Sequence, residues 1–250
     1  MIIAHLTYDT PSLRTCTMTC YSWYLAAVPH LFNILITHTG TLDQKFGWPN
    51  PLRRMHALGL LPFVKTLWVC GDDDDFVFST KQFNHRVLRQ SSALANVRRL
   101  MINQLDIPSF IPRIQQYFGH FLPTVQELVL ENPKGTHRQI TYFIGLFRHL
   151  EGLAIHHGGD IKRDPVDDPT FIPIFVPPLR GRLVMSYLAE VGLLEDMIDR
   201  FRGLRFSSMA LFNMEGTQLL LNACAETLKE LDLYPTDPRG EEFFCQMCGF

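Results

Sequence analysis

The chain has 250 residues, 46% of them hydrophobic and 19% charged, and carries a net charge of −2. That apolar content supplies a continuous core and argues against disorder. A slightly acidic chain with no basic run beside aromatics lacks the electrostatic footprint of a nucleic-acid binder. No segment reaches the roughly 18 apolar residues of a membrane span. The opening MIIAHLTYDT has no positive region and no long apolar stretch, so it does not read as a signal peptide. Six cysteines, at 16, 20, 70, 224, 245 and 248, are then expected as reduced thiols of an intracellular protein, cytoplasmic or nuclear.

Residues 1–37 read as a small helical segment. Thr10-Pro11 predicts a helix start, a capping hydroxyl followed by proline at the first helical position. Leu13, Cys16, Cys20 and Trp23 follow at helical spacing and form one apolar face. Pro29 breaks the pattern, and His30-Leu31-Phe32 leads into apolar Ile34-Leu35-Ile36. Residues 38–62 are irregular and read as a junction.

From residue 63 to the end one pattern recurs: apolar, two variable, apolar, one variable, apolar. It stands at Val64-Leu67-Val69, Val97-Leu100-Ile102, Val125-Leu128-Leu130, Leu150-Leu153-Ile155, Phe206-Met209-Leu211 and Leu228-Leu231-Leu233. Leu179-Leu183-Met185 is a degenerate copy with one extra residue. The last two apolar positions alternate with variable ones, the period of a strand with one buried face. Helical stripes lie between copies: Ile107, Ile111, Ile114 and Phe118; Ile140, Phe143, Ile144 and Phe147; Val191, Leu194, Met197, Ile198 and Phe201; and Leu219, Leu220 and Ala223. Strand then helix, repeated, predicts parallel strands with right-handed crossovers. A repeat this short must stack on its neighbours to bury its apolar face. The expected fold is therefore α/β: an irregular leucine-rich-repeat-like solenoid with a small N-terminal helical segment. An ordinary doubly wound domain is the competing expectation, although no nucleotide-type glycine loop interrupts the pattern. The Asn or Cys ladder usual after the strand of such repeats is missing; Asp72, Leu105, Pro133, Gly158, Met214 and Thr236 stand there. Irregular turns are expected in its place. The stretch 158–178, rich in proline, reads as a long surface loop.

The variable positions beside the strand apolars point away from the core and form three rows. The central row is Trp68, Met101, Val129, Ala154, Val184, Ala210 and Asp232. An apolar stripe rimmed by polar rows marks an interface, and the expected partner-binding face comprises Trp68, Met101, Val129, His156, Phe212 and Tyr234. The alternative is that the 158–178 loop covers the stripe, because parallel sheets are commonly buried on both faces.

Motifs with chemistry are weak. Cys245–Cys248 has the spacing of a metal knuckle, but no second pair accompanies it. His156-His157 reads as a polar strand end, and Asp72–Asp75 as a solvated turn without the alternation of a calcium loop. No nucleophile elbow, phosphate loop or zinc-protease motif occurs. No catalytic residue, cofactor or metal is expected.

The run IIAHLTYDTPSLRTCTMTCYSWYLAAVPHLF resembles the later two thirds of an F-box. Ile2, Ile3, Leu6, Leu13, Cys16, Cys20, Trp23, Leu31 and Phe32 carry the likeness, above all the Cys-x-x-Trp element with its downstream Leu-Phe. With the segment TLKELDLYPTDPRGEE, the chain is similar to the large group of fungal F-box proteins with divergent leucine-rich repeats. The resemblance implies that those nine residues dock a Skp-family adaptor and that the repeats hold a target protein. It implies the substrate-recognition subunit of a cullin-type ubiquitin ligase, performing no chemistry itself. A stand-alone interaction scaffold with a degenerate F-box is the alternative. The Leu-Pro opening of an F-box is absent before Ile2, and the last residues, EEFFCQMCGF, are apolar where a solenoid cap is polar. A shortened or degenerate F-box is therefore expected, with weak adaptor binding that a complete opening would restore.

Overall fold

Short alternating strands can bury one face only by lying side by side, and the computed structural model of the chain arranges them so. It describes residues 2–6, 9–38, 51–70, 94–119, 122–156, 161–162, 179–186, 191–201, 204–211 and 217–233. Along the chain the strands are β1 (Ile34–His38), β2 (Thr66–Cys70), β3 (Arg99–Asn103), β4 (Glu127–Glu131), β5 (Gly135–Thr136), β6 (Gly152–His156), β7 (Ile161–Lys162), β8 (Leu179–Ser186), β9 (Leu204–Leu211) and β10 (Glu230–Leu233). The helices are α1 (Thr10–Thr19), α2 (Tyr21–Leu31), α3 (Pro51–Ala57), α4 (Ile107–Phe118), α5 (His137–Gly145), α6 (Val191–Arg200) and α7 (Thr217–Cys224).

Among the described residues, β5 pairs only with β7, and the other eight strands form one open sheet in the order β1-β2-β3-β4-β6-β8-β9-β10. Every pairing is parallel. The order follows the chain without the reversal that defines a doubly wound sheet. Leu35, Leu67, Leu100, Leu128, Leu153, Leu183, Met209 and Leu231 stand in one row across it. This is the alignment expected from the repeated pattern, with one strand added. That strand, β1, begins inside the segment expected to be helical, so the sheet starts before the junction at 38–62.

Helices and strands share one core. Leu100, Leu128, Ile114, Ile140, Phe143, Phe147 and Phe206 are fully enclosed. Phe143 packs against Phe110 with ring centroids 6.0 Å apart and edge-on against Phe147 at 5.3 Å, geometries that aromatic quadrupoles favour. Several helices start on a local cap. Asp106 accepts the Ser109 N–H at 3.2 Å at the head of α4. At α5 the Thr136 hydroxyl accepts the Gln139 N–H at 3.4 Å, and the Gln139 side-chain oxygen accepts the Thr136 N–H at 2.9 Å, a reciprocal capping box.

Several expectations need correcting. The cap of α1 is Asp9, whose carboxylate accepts the Ser12 N–H at 3.1 Å; Thr10 is already helical. The single N-terminal helix is two helices, broken at Cys20, whose backbone is extended. Threonine explains the break: the hydroxyls of Thr15, Thr17 and Thr19 bond back to the carbonyls of Pro11, Arg14 and Thr15, competing with the helix ladder. Pro29 does not end α2 but lies in its last turn. The turns after β3 and β4 are alike rather than irregular. Gln104 and Asn132 both adopt positive φ, 52° and 47°, and donate to the carbonyls of Glu131 and His156 on the next strand at 2.8 and 2.9 Å. Within the expected loop 158–178, Ile161 is buried and pairs with Gly135 as β7; residues 158–160 and 163–178 lie outside the described residues. No helix among the described residues is long and apolar enough to cross a membrane.

Candidate functional site

Two surfaces of the molecule are candidates for contact with a partner. The first is the N-terminal helical pair. Ile3, Leu13, Cys16 and Ala27 are buried together, with Leu6, Ala26 and Leu31 packed against them, in a small core separate from the main one. Val28 on α2 and Phe32 just after it instead join the main core. Ala27 and Val28 point into different cores, and the end of α1 and the first half of α2 carry exposed apolar side chains. Met18 is 87% exposed, Tyr21 73%, Leu25 53% and Trp23 44%, and Tyr24 joins them. The rings of Tyr21 and Tyr24 stack at 6.4 Å. Five large apolar side chains within eight residues form a contiguous exposed patch, far from the scattered single apolars of an ordinary surface.

Of the nine residues that the F-box resemblance assigns to adaptor docking, Ile3, Leu13 and Cys16 are consumed by this small core. Leu6, Leu31 and Phe32 are half-buried. Cys20 is exposed beside the patch, and Trp23 is part of it. The side chain of Ile2 lies outside the described residues. Trp23 thus does not share a face with Leu13 and Cys16, because the break at Cys20 puts it on another helix.

The second surface is the sheet face opposite the helices. Its central row is not the open stripe expected: Met101 is only 5% exposed and Val129 6%, while Trp68, Ala154 and Val184 are half-buried. Trp68, Met101, Val129 and Ala154 are neighbours across β2, β3, β4 and β6, roughly 4.8 Å apart, so each apolar side chain flanks the next. His156 is also buried and is no part of an accessible face. Phe212 and Tyr234 lie outside the described residues.

The accessible parts of that face are its two ends and its polar row. At the β1 edge Ile34 and Ile36 are exposed and stand beside Thr66 and Trp68. Sequence reasoning missed both, because it counted Ile34–Ile36 with the N-terminal segment; their own alternation was the available signal. In the polar row Arg99 and Glu127 face each other on β3 and β4, with the guanidinium Nε 3.5 Å from the carboxylate. At the other end β8 and β9 outgrow their neighbours, and Arg180 and Arg205 stand opposite each other there, both exposed.

Chemical groups are sparse by comparison. Among the described residues no three of His, Cys, Asp and Glu gather as a metal-binding group. Burial pushes the Cys224 thiol up from its ordinary value, making it a poorer nucleophile. Asp72–Asp75, His157 and Cys245–Cys248 lie outside the described residues. No protein-family model matches this chain, and no curated protein matches it in sequence.

Proposed function

We propose that the chain is the substrate-recognition subunit of a cullin-type ubiquitin ligase, with the helical pair docking a Skp-family adaptor and the sheet face holding a target protein. On this reading the chain-order parallel sheet is a leucine-rich-repeat-like solenoid, and the chain is an intracellular binding protein without catalysis of its own. One observation carries it: the exposed patch Met18, Tyr21, Trp23, Tyr24 and Leu25 sits on a helical pair with its own small core. Tyr and Trp are the residues most enriched among energetic hot spots of protein interfaces. The run that resembles an F-box spans this patch, and Trp23 is one of the nine residues that carry the likeness.

A second reading, a stand-alone interaction scaffold with a degenerate F-box, draws on the burial of Ile3, Leu13 and Cys16, which leaves fewer side chains for an adaptor. Calorimetric titration of the chain with a purified Skp-family adaptor separates the two. The ligase reading expects binding that Tyr21→Ala with Trp23→Ala weakens by about 30-fold or more, the equivalent of ~2 kcal/mol, at an unchanged melting temperature. Absence of binding, or binding indifferent to both substitutions, favours the scaffold.

A further inference from the structure

The sheet breaks a rule of its own at one place. Cross-strand neighbours of opposite charge attract, and like charges directly opposite destabilise a strand pair. The Arg99–Glu127 pair obeys this. Arg180 and Arg205 do not: they are register partners on β8 and β9, with Cβ atoms roughly 5 Å apart. Arg182 projects from the same face of β8 one step along, where the alternation buries Leu179 and Leu183 and exposes Arg180 and Arg182. All three arginines are exposed, and among the described residues none is ion-paired.

Among the described residues no carboxylate pairs with them, although Glu151 runs beside Gly181 and its carbonyl accepts the Arg182 N–H. The paired residues of β6 begin opposite Arg182 and those of β10 opposite Ser208, so the Arg180–Arg205 pair lies beyond the ladders of both flanking strands. The position of β6 next to Arg182 is Gly152, which separates it from Glu127 in the same row. The backbone keeps this shape only because Gly181, between Arg180 and Arg182, adopts φ +84° where the register shifts.

We infer that the Arg180–Arg182–Arg205 cluster is the recognition site for an acidic segment of a partner protein. The inference deepens the target-binding role proposed for the sheet face and rests on it. Guanidinium forks grip carboxylates bidentately, and an occupant of that chemistry turns the like-charge pair from a cost into an attraction. The cluster lies on open sheet rather than in a concave pocket of the kind that encloses a small ligand. The chain's net charge of −2 argues against a polyanionic nucleic acid.

The test is fluorescence anisotropy with a labelled peptide of alternating glutamate and glycine, on the full chain. Binding is expected that falls as salt rises and weakens about tenfold or more, or ~1.4 kcal/mol, in Arg180→Gln with Arg205→Gln. Arg14→Gln, on the distant α1, should leave it unchanged. The double variant should melt no lower than the parent, because a repulsive pair is removed. Equal peptide affinity in parent and double variant overturns the inference. So does inorganic phosphate displacing the peptide at concentrations no higher than the peptide's own, or duplex DNA binding more tightly than the peptide. Repeating the adaptor titration on the double variant separates the readings: adaptor binding should be untouched, and peptide binding without adaptor binding would remove the ligase role while leaving this site standing.

Discussion

Replacing Gly181 with alanine tests how tightly β8 is held against β6. The residue sits at φ +84°, a region that costs a residue bearing Cβ about 1–2 kcal/mol. A Cβ there would also stand 1.6 Å from the carbonyl oxygen of Glu151. That oxygen already accepts the Arg182 N–H at 2.8 Å, so relief of the overlap breaks the bond, a further loss of about 0.5–1.5 kcal/mol. Together the two effects give a loss of roughly 1.5–3.5 kcal/mol. For a chain of this size each kcal/mol lowers the melting temperature by ~2–4 °C, so a fall of about 3–14 °C is expected. Gly59 is the control: its φ is +66°, yet nothing lies within 4 Å of a Cβ built there. Gly59→Ala should show only the conformational part. The assay is thermal denaturation by circular dichroism, supported by guanidinium titration with the slope m compared between variants. If the two alanine variants melt at the same temperature, the steric part of the reasoning is wrong.

Leu100→Ala and Leu128→Ala each remove a fully buried side chain from the central leucine row and should each cost about 2–5 kcal/mol in denaturant titration. Iodoacetamide labelling of the native protein, read by mass spectrometry, should modify exposed Cys20 well before buried Cys16 and Cys224. The raised thiol of Cys224 keeps its proton in the fold, so its contribution to stability is present below the ordinary thiol value and is lost as pH rises through the folded one. Asp9 shows the opposite sign. The Ser12 hydroxyl, followed by the Ser12 backbone N–H, holds its carboxyl below the ordinary carboxylate value. The α1 cap should therefore be intact above that value and be released as pH falls through the lowered one. Asp9→Asn should flatten this acid response in an NMR titration of the α1 amides.

The sheet was legible from residue 63 onward because its signal is strictly periodic. One apolar residue per unit, from Leu67 to Leu231, set both the strands and their register. Period alone does not report what lies beside a residue in the next strand. Met101 and Val129 occupy outward positions by alternation, yet both are buried. His156 was misplaced for the same reason. The N-terminal helices were less legible because a four-residue spacing continues across a break. Cys16, Cys20 and Trp23 look like one helix face until the threonine hydroxyls are seen to bond the backbone. The Thr136–Gln139 capping box was readable as T-x-x-Q and was not used.

The candidate binding surfaces lie where the strand pattern is least regular. Where units match, as in β3 and β4, neighbouring side chains satisfy one another: Arg99 finds Glu127, and Met101 finds Val129. Such a surface has little free energy left for a partner. Irregularity leaves groups unanswered. The break at Cys20 turns Trp23 away from the small core, β1 stands at an edge with Ile34 and Ile36 uncovered, and the longer β8 and β9 carry Arg180 and Arg205 beyond the ladders of their neighbours. From β1 to β8 is five strand spacings, roughly 24 Å, so the apolar and basic ends are too far apart for one short side-chain cluster to fill both. α2 joins the apolar patch rigidly to the β1 end, since it buries Ala27 in the small core and Val28 in the main one. A partner gripping the helical pair and a partner gripping the arginines would therefore sit at opposite ends of a stiff sheet, each bound without obstructing the other.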